Sequence, residues 1–397
     1  MKKIISFIST GLLFLLLTSC FNACTPIRNL SNQPVPYKGN NVFKPQVPTH
    51  ETGKKNVFIV ADTKLTELFD MLAPFYLFNQ TGKANVYIIA KSKSPILIKK
   101  DLYLLPQITF GEADSMLLRA DVIVIPALSA RGAQQDPVII SWIQDHFTPE
   151  TRILSICDGA STAAATGLYD GKLLTCHASD FKGIKPGFSK PLWVQNIAVT
   201  KDGNLFSTAG VSNAVEGSLT VINELFGKAT MSAAAEDIHY PHAELTVNHN
   251  SIPISGNSKM RILKKVMFHK NRKIDVLLAN GINEFTLASV LDTYGRSFPF
   301  SLNTVPMPGI ANDSIVHTKY GLTLLCTADQ NYAKADELHV LSSIPLTKEE
   351  VGYFNNATVI SYDDRSAQYP IEICLNRISK LYGHKFKNVV KLMLDYN

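Results

Sequence analysis

One cysteine stands where a strand is expected to end and a helix to begin. Residues 153–161 read ILSICDGAS, in which apolar residues lead to Cys157 and small residues follow. Such a turn exposes the side chain and directs the first free N–H groups of the helix at it. A helix N-terminus also favours thiolate over thiol, which predicts a lowered pKa for Cys157. The alternative is that Cys157 is a small core residue, since buried cysteine is common.

Two further residues could complete a reaction centre around Cys157. Asp70 follows the first predicted strand and can reach the same rim of a sheet. His177 follows a short predicted strand, which comes after the helix that begins next to Cys157. A thiol near an acid and an imidazole has the ingredients for nucleophilic or general acid–base chemistry. Two alternatives stay open: Asp70 as a first-turn acid that complements the helix dipole, and His177 as a histidine of a surface loop.

The elements that must position these residues alternate along the chain from residue 56 onward. Apolar runs without polar alternation, separated by helical patterns, indicate a parallel sheet that is covered on both faces. We therefore predict a doubly wound, flavodoxin-like α/β domain, whose ligands collect at the carboxyl ends of the strands. Cys157 falls at such an end. The predicted strands are NVFIVAD (56–62), NVYIIA (85–90), ADVIVIPA (120–127) and RILSIC (152–157).

The strand and helix pattern then restarts in the second half of the chain. Residues 273–295 repeat the first strand, loop and helix, and residues 335–343 repeat a later strand, at similar spacing. Residues 357–367 echo the cysteine elbow, but Asp363 stands at the place of Cys157. Repeats in the same order favour a second copy of one unit. We predict a truncated α/β copy that lacks the thiol and is not catalytic.

The first twenty residues, MKKIISFISTGLLFLLLTSC, have the layout of a signal peptide. Lys2 and Lys3 precede an apolar run that is too short for a comfortable membrane span. LTSC resembles a bacterial lipobox, which predicts Cys20 as the site of lipid attachment. An ordinary cleaved signal or an uncleaved anchor is the alternative. The lipid reading predicts a protein of the bacterial cell envelope, tied to a membrane and on the outer membrane if the cell has one.

The composition is that of a globular protein, and the charge and cysteine patterns argue against a nucleic-acid-binding protein and a zinc protein. The hydrophobic fraction is 46%, the charged fraction is 18% and the formal net charge is +6. No block of like charge suggests a nucleic-acid partner, and the basic run 264–273 is interpreted as a solvated helix end. The cysteines beyond residue 24 show no zinc spacing, so neither a metal site nor a cofactor is predicted. A Cys157–Cys176 disulfide is left open.

The sequence SICDGASTAAATGLYDGKLLTCH resembles the elbow of the ThiJ/PfpI superfamily, which has a class I glutamine-amidotransferase-like fold. The resemblance is closest to the branch related to the N-terminal domains of AraC-type regulators. It is good over 56–240 and weak over 274–365. It implies Cys157 as the elbow nucleophile, Asp70 as the acid that contacts the thiol and His177 as the nearby histidine. The family often dimerises, so a homodimer is left open, with the half-copy as a built-in partner.

This sequence departs from the family pattern at several positions. Asp158 follows the cysteine where protease-like members have histidine, which argues against peptidase activity. The resemblance makes the backbone amides of Asp158 and Leu128 the candidate oxyanion donors. Many relatives have two glycines in the second of these loops, whereas this chain has Ala127 and Leu128, whose Cβ atoms restrict the backbone.

Two functions are consistent with these features. The first is an envelope-anchored hydrolase or lyase that uses Cys157 on a small carbonyl, amide or isonitrile-like compound. The second is a non-catalytic module that binds a small molecule or senses redox state. We expect five segments: a lipoprotein signal peptide at 1–20, a flexible tether at 21–55, a ThiJ/PfpI-like domain at 56–240, a linker and helix at 241–273, and a degenerate half-domain at 274–397.

Overall fold

The structure is a computed structural model, and its description covers most of the chain beyond residue 42. The described residues are 37–39, 43–63, 66–128, 135–242, 248–307, 314–327, 335–341, 357–362 and 367–396. Cys20, the predicted signal peptide at 1–20 and Asp363 lie outside them. Within the described ranges, no helix is both long and apolar enough to span a bilayer.

The strands and helices are numbered separately in chain order. The strands are β1 Lys55–Val60, β2 Ala84–Ala90, β3 Ile96–Lys99, β4 Leu102–Leu105, β5 Ile108–Thr109, β6 Val122–Ile125, β7 Arg152–Ile156, β8 Leu173–Leu174, β9 Leu192–Trp193, β10 Val199–Asp202, β11 Leu205–Thr208, β12 Lys273–Leu278, β13 Ser301–Pro306, β14 Ser314–His317, β15 Thr323–Cys326, β16 Glu337–Val340 and β17 Thr358–Ser361. The helices are α1 Leu68–Gln80, α2 Phe110–Ser115, α3 Pro137–His146, α4 Ala160–Ala165, α5 Phe181–Ile184, α6 Ala214–Phe226, α7 Lys228–Asp237, α8 Gly256–Phe268, α9 Glu284–Gly295, α10 Pro370–Tyr382 and α11 His384–Leu394.

The largest sheet has seven strands in the order β10-β11-β7-β6-β1-β2-β5. Its neighbours run parallel, except for the antiparallel pair β10 and β11. The order of the strands reverses at the junction of β1 and β6, which is where open α/β sheets bind ligands. The predicted doubly wound α/β fold is confirmed.

Alternate residues of the central strands enter two different cores. Val57 and Ile59 of β1 pack in the core on the face of α1 and α6, whereas Phe58 and Val60 pack in the core that includes Trp142 of α3. Successive side chains of a strand point to opposite faces, so helices on both faces require apolar residues at every position. This double burial explains why the strands appear in the sequence as continuous apolar runs.

The second half of the chain has its own parallel sheet, in the order β13-β12-β16-β17. When the strands of each unit are counted along the chain, this spatial order is the same as that of β2-β1-β6-β7 in the first sheet. The helix after the first strand of each unit, α1 or α9, is buried along nearly its whole length. These features are what a shortened repeat would produce, and the repeat itself stays a prediction.

The two halves are joined by a third, antiparallel sheet in the order β14-β15-β4-β3. β15 of the second half pairs with β4 of the first, from Thr323 opposite Leu105 to Cys326 opposite Leu102. Helices α1 and α9 also pack together, with the rings of Phe69 and Phe285 5.5 Å apart. Backbone hydrogen bonds and a common core therefore hold the halves in one body.

Part of the predicted tether is packed against the protein. Within residues 43–55, the backbone N–H of Gln46 donates to Thr323 Oγ1 at 2.9 Å. The N–H of Glu51 donates to Asn85 Oδ1 at 3.0 Å. The prediction of a flexible tether is therefore wrong for this stretch, because its backbone amides are used by the folded domain.

The basic run at 264–273 is not fully solvated as predicted. Lys265 of α8 is buried, and its Nζ donates to the carbonyl of Phe298 at 2.7 Å. The ammonium also lies 4.5 Å from the ring centroid of Tyr382, a cation–π contact. Burial lowers the pKa of Lys265 to about 7. One lysine of this helix, Lys265, thus lies on the packed face, although the sequence pattern suggested that the basic residues are exposed.

Candidate active site

The strand β7 and the helix α4 are joined by a turn that carries Cys157. Cys157 has a φ of 54°, in the left-handed region, and starts a 3₁₀ turn over Cys157–Gly159. A left-handed conformation at a residue with a Cβ is costly, and such residues cluster at functional sites. The structure thus places Cys157 in a strained turn at the carboxyl end of a central strand, but its side chain is buried and not exposed as the sequence predicted.

Gly159 lets this turn pass very close to the end of β6. A Cβ at Gly159 would lie 2.1 Å from the carbonyl oxygen of Ile125 and 2.8 Å from that of Pro126. Both are backbone atoms, which cannot move aside like the tip of a side chain. Glycine at this position therefore fixes the elbow against the loop that follows β6.

Asp70, the predicted acid, lies fully buried in the first turn of α1. Its Oδ2 accepts a hydrogen bond from the backbone N–H of Ala127 at 3.1 Å, and its Oδ1 has no hydrogen-bond partner among the described residues. Burial raises the pKa of Asp70 well above its usual value, and the charge of Glu67 raises it further. The first-turn position and the hydrogen bond from Ala127 both favour the ionised carboxylate, but burial and the charge of Glu67 outweigh them, so the pKa of Asp70 is raised.

The thiol of Cys157 does not have the lowered pKa that its sequence position predicts. Cys157 is 6% exposed, and burial raises its pKa well above the usual value. The charges of Asp70 and Asp158 raise it further, while a hydrogen bond from the Asp158 backbone opposes them. The prediction is wrong because the thiol is buried, and the loss of solvation of the thiolate is the largest effect on its pKa.

His177 is buried, so its interpretation as a surface histidine is wrong. Its Nδ1 lies 3.5 Å from Asp180 Oδ2, and its Nε2 has no hydrogen-bond partner among the described residues. Burial alone would lower the pKa of His177, but the hydrogen bond with Asp180 and the charge of Asp395 outweigh it and raise the pKa. No hydrogen bond joins His177 to Cys157 in the described structure, so a direct Cys–His pair is not formed.

Asp395, just after α11, lies close enough to His177 for its charge to raise the pKa of the imidazole, and the sequence did not predict this. It adopts a left-handed conformation with φ 55°, and its carbonyl accepts from Ser212 Oγ at 3.0 Å. A Cβ at Gly210 would lie 2.1 Å from Asp395 Cβ. Asp395 Oδ2 is also 3.5 Å from Nε2 of the buried His249. The sequence contains no local signal for this contact, because Asp395 and Gly210 are far apart in the chain.

Glu67 is a second acid that sequence reasoning missed. Its side chain caps α1 by accepting from the N–H of Asp70 at 2.8 Å. Its other oxygen accepts from Nη2 of Arg296 at 3.1 Å, a residue of the second half. Glutamate is not among the residues preferred at a helix N-cap, so the sequence carries no clear signal for this role of Glu67. No sequence pattern identified Arg296.

The two candidate oxyanion donors are in different situations. The backbone of Asp158 hydrogen-bonds with Cys157, as a donor beside the reacting sulfur would. Leu128 is buried, and the residues 129–134 that continue its loop lie outside the described structure. The preceding amide, of Ala127, is already used by Asp70. The oxyanion role of Leu128 therefore stays a prediction.

The described cysteines are free thiols. Cys157 and Cys176 are both buried and are not joined in a disulfide. Among the described residues, no group of three His, Cys, Asp or Glu side chains is arranged to hold a metal ion.

A sequence model of the DJ-1/PfpI family matches residues 54–224. This part of the chain is a DJ-1/PfpI family domain. The matched segment contains Asp70, Cys157 and His177, so the elbow and its acid lie within the family region. The resemblance to the AraC-related branch stays a prediction, and so do the catalytic roles of the three residues.

Two curated proteins illustrate how far the similarity extends. An isonitrile hydratase of Pseudomonas putida is 27% identical over 150 residues, which cover 38% of this chain and 63% of that protein. A Parkinson disease protein 7 homolog of Danio rerio is 24% identical over 177 residues, 44% of this chain and 91% of that protein. The match therefore spans less than two thirds of the hydratase and less than half of the present chain.

Solved structures are also similar to part of this chain. The DJ-1beta structure from Drosophila melanogaster is 21% identical, with a TM-score of 0.42, over 48% of this chain and 100% of that one. A ThiJ/PfpI family protein from Pseudomonas syringae has a TM-score of 0.44 and 21% identity, and covers 59% of this chain and 93% of that one.

The close approach at the elbow predicts that Gly159→Ala is strongly destabilising. The added Cβ would overlap backbone oxygens, so we expect a loss of about 3 kcal/mol in the free energy of unfolding, measured by urea denaturation. Gly111→Ala in α2 is the matched control, because nothing lies within 4 Å of its added Cβ. Its stability should change by less than about 1 kcal/mol. Equal stability of the two variants would show that the elbow is not confined in this way.

The environment of His177 predicts a pH-dependent effect of Asp180→Asn. The raised folded-state pKa means that His177 stabilises the fold fully below its unfolded pKa, and that this contribution is lost as the pH rises through the folded value. The variant should lower the pKa of His177, measured by NMR of the imidazole, and should lose more stability at acidic than at alkaline pH. Asp170→Asn is the control, since Asp170 pairs with exposed Lys190. An unchanged imidazole titration in Asp180→Asn would contradict this account.

Proposed function

We propose that this protein is a cysteine-dependent hydrolase or lyase that acts on a small compound with an electrophilic carbon, such as a carbonyl, an amide or an isonitrile. The observation that carries the proposal is the position of Cys157, in a left-handed conformation at the carboxyl end of β7, with the buried acid Asp70 close enough to raise its pKa. Strained backbone is maintained where it serves function.

The chemistry fits a nucleophile and a proton donor held together. For an isonitrile, the sulfur of Cys157 forms a bond to the terminal carbon, and that carbon takes up one proton. Water then adds to the resulting thioimidate, the carbon–sulfur bond breaks and the thiol is regenerated, so that the product is an N-substituted formamide. In this proposal Asp70 gives and recovers the proton, which is supported by its raised pKa and by an Oδ1 that has no hydrogen-bond partner among the described residues.

The burial of the site restricts the substrate. Cys157 is only slightly exposed and Asp70 is fully buried, so a folded polypeptide cannot reach both. The absence of histidine directly after Cys157, where Asp158 stands, also argues against a peptidase. A small molecule is therefore the substrate class that the geometry favours, and the isonitrile hydratase relative makes isonitriles the first compounds to test.

The proposal predicts that Cys157→Ser abolishes turnover and that Asp70→Asn reduces it. The full chain is incubated with an aliphatic isonitrile, a small carbonyl compound and a small amide, and products are followed by NMR. Loss of the acid should lower the rate by about 100-fold or more, in the range of general acid catalysis. Cys326→Ser is the matched control, because it removes another buried thiol, on β15, and should leave the rate unchanged.

Burial of the thiol also favours the second candidate, a non-catalytic binding module. A core thiol with a raised pKa would resist iodoacetamide in the native protein and react only after unfolding. If Cys157 behaves in this way, and none of the compounds is turned over at any pH, the binding module is the correct function and the enzymatic proposal fails.

We further propose that the protein is anchored in the cell envelope by a lipid on Cys20. The support is the sequence MKKIISFISTGLLFLLLTSC alone. Residues 43–55 are packed on the domain, so the anchored body would stand closer to the membrane than a free tether to residue 55 allows.

The anchor proposal predicts that Cys20→Ser releases the protein from the membrane fraction. In a bacterial host given a labelled fatty acid, the unaltered chain should carry label and sediment with membranes, and the variant should do neither. Cys24→Ser is the matched control and should remain labelled. Label in the Cys20 variant, or its absence from the unaltered chain, would contradict the proposal.

A further inference from the structure

The helix that carries Asp70 begins with a partly buried carboxylate that is held by the second half of the chain. Glu67 Oε2 accepts from the N–H of Asp70 at 2.8 Å, and Oε1 accepts from Nη2 of Arg296 at 3.1 Å. The side chains of Glu67 and Arg296 are 19% and 18% exposed. One carboxyl group thus contacts both the catalytic acid's backbone and a cation supplied from outside the family domain.

Arg296 is itself fixed by several contacts. Its Nη1 lies 3.2 Å from Asp292 Oδ1, and its Nε donates to the carbonyl of Met393 at 3.1 Å. Asp292, also of the second half, accepts from the N–H of Phe69 in α1 through Oδ2 at 3.2 Å. The second half therefore presents a bound Arg–Asp pair to the first turn of α1. Multiple hydrogen bonds of this kind fix both position and charge.

The charge on Glu67 depends on this pair. Burial and the charge of Asp292 raise the pKa of Glu67 to about 7, while Arg296 lowers it. The other ionisable groups that face the cluster are Asp70, Cys157 and Lys99, whose Nζ is 3.8 Å from Asp292 Oδ1. A group in this environment changes its charge near neutral pH, next to the thiol and its acid.

We propose that Arg296 and Asp292 are positioning residues for the site, and that through Glu67 the second half of the chain sets the charge beside Asp70 and Cys157. The proposal rests on Cys157 as the reacting group but not on turnover of any compound. It gives the region beyond residue 240 a part in the chemistry, in addition to its packing on α1.

The test is the pH dependence of Cys157 alkylation by iodoacetamide in the full chain, read by mass spectrometry. The logarithm of the rate should rise with pH as thiolate forms, and should flatten where Glu67 ionises, because the new negative charge raises the pKa of Cys157. Glu67→Gln should remove the flattened region. Arg296→Met should move it upward and Asp292→Asn downward, each by roughly one pH unit.

Arg296→Met and Asp292→Asn both weaken the same packed cluster, so a loss of stability alone would change the profile in the same direction in both variants. Shifts in opposite directions therefore indicate an effect on the charge of Glu67. Arg296→Lys keeps the charge and should restore most of the profile if Arg296→Met proves hard to fold. Arg377→Met is the matched control: it removes another arginine, which pairs with buried Glu337 within the second half, and should leave the profile unchanged.

Shifts in the same direction, or a profile that no variant changes, would overturn the proposal. The result does not depend on turnover of any compound, but a Cys157 that iodoacetamide fails to alkylate in the native protein would overturn this proposal together with the enzymatic one. A protein that turns over none of the compounds but shows the opposite shifts would retain the role of Arg296 and Asp292. A protein that is active but shows no shift would lose it.

Discussion

The helix α1 has no face open to water, and the arrangement of the site follows from this constraint. Every residue from Leu68 to Phe78 is buried, so α1 is an interior helix rather than an amphipathic one. Its first turn nevertheless carries Glu67 and Asp70. Buried carboxylates must be protonated, hydrogen-bonded or paired, because water is not there to solvate them. Asp70 is held by the loop after β6, and Glu67 by a cation from the other half.

The second half supplies the cover that α1 requires. Phe285 of α9 packs on Phe69 and Tyr76 of α1, and β15 extends a sheet that starts in the first half. The face of α1 that would otherwise be exposed is therefore occupied within one chain. A homodimer, which the family resemblance left open, would have to use another surface. The strand order β13-β12-β16-β17 agrees with the interpretation of this half as a built-in partner, which stays a proposal.

Local sequence patterns predicted the sheet and the elbow because each depends on residues that are close together in the sequence. Parallel strands that are buried on both faces must be apolar throughout, and a strand–Cys–Gly–helix junction is recognisable at Cys157 and Gly159. The contacts of Arg296 and Asp395 could not be predicted, since they join residues far apart in the chain by side chains of ordinary type. The pKa of Cys157 was predicted in the wrong direction for the same reason. Its helix is visible in the sequence, but its burial depends on the whole fold.

The charge of Arg296 affects the pKa values of three acids, Asp292, Glu67 and Asp70, to different extents, and this difference decides which of them can serve as a proton donor. Arg296 contacts Asp292 and Glu67 directly, at 3.2 and 3.1 Å. Despite burial, the charges of Arg296 and Lys99 lower the pKa of Asp292, so it is the acid that ionises first. Among the described residues, Asp70 accepts a hydrogen bond only from the N–H of Ala127, and the charge of Arg296 affects its pKa less than burial or the charge of Glu67 does. The pKa of Asp70 is therefore raised, and of these three acids Asp70 has the largest effect on the pKa of the Cys157 thiol. The same ion pairs that stabilise the contact between the halves lower the pKa of Asp292 but leave that of Asp70 raised.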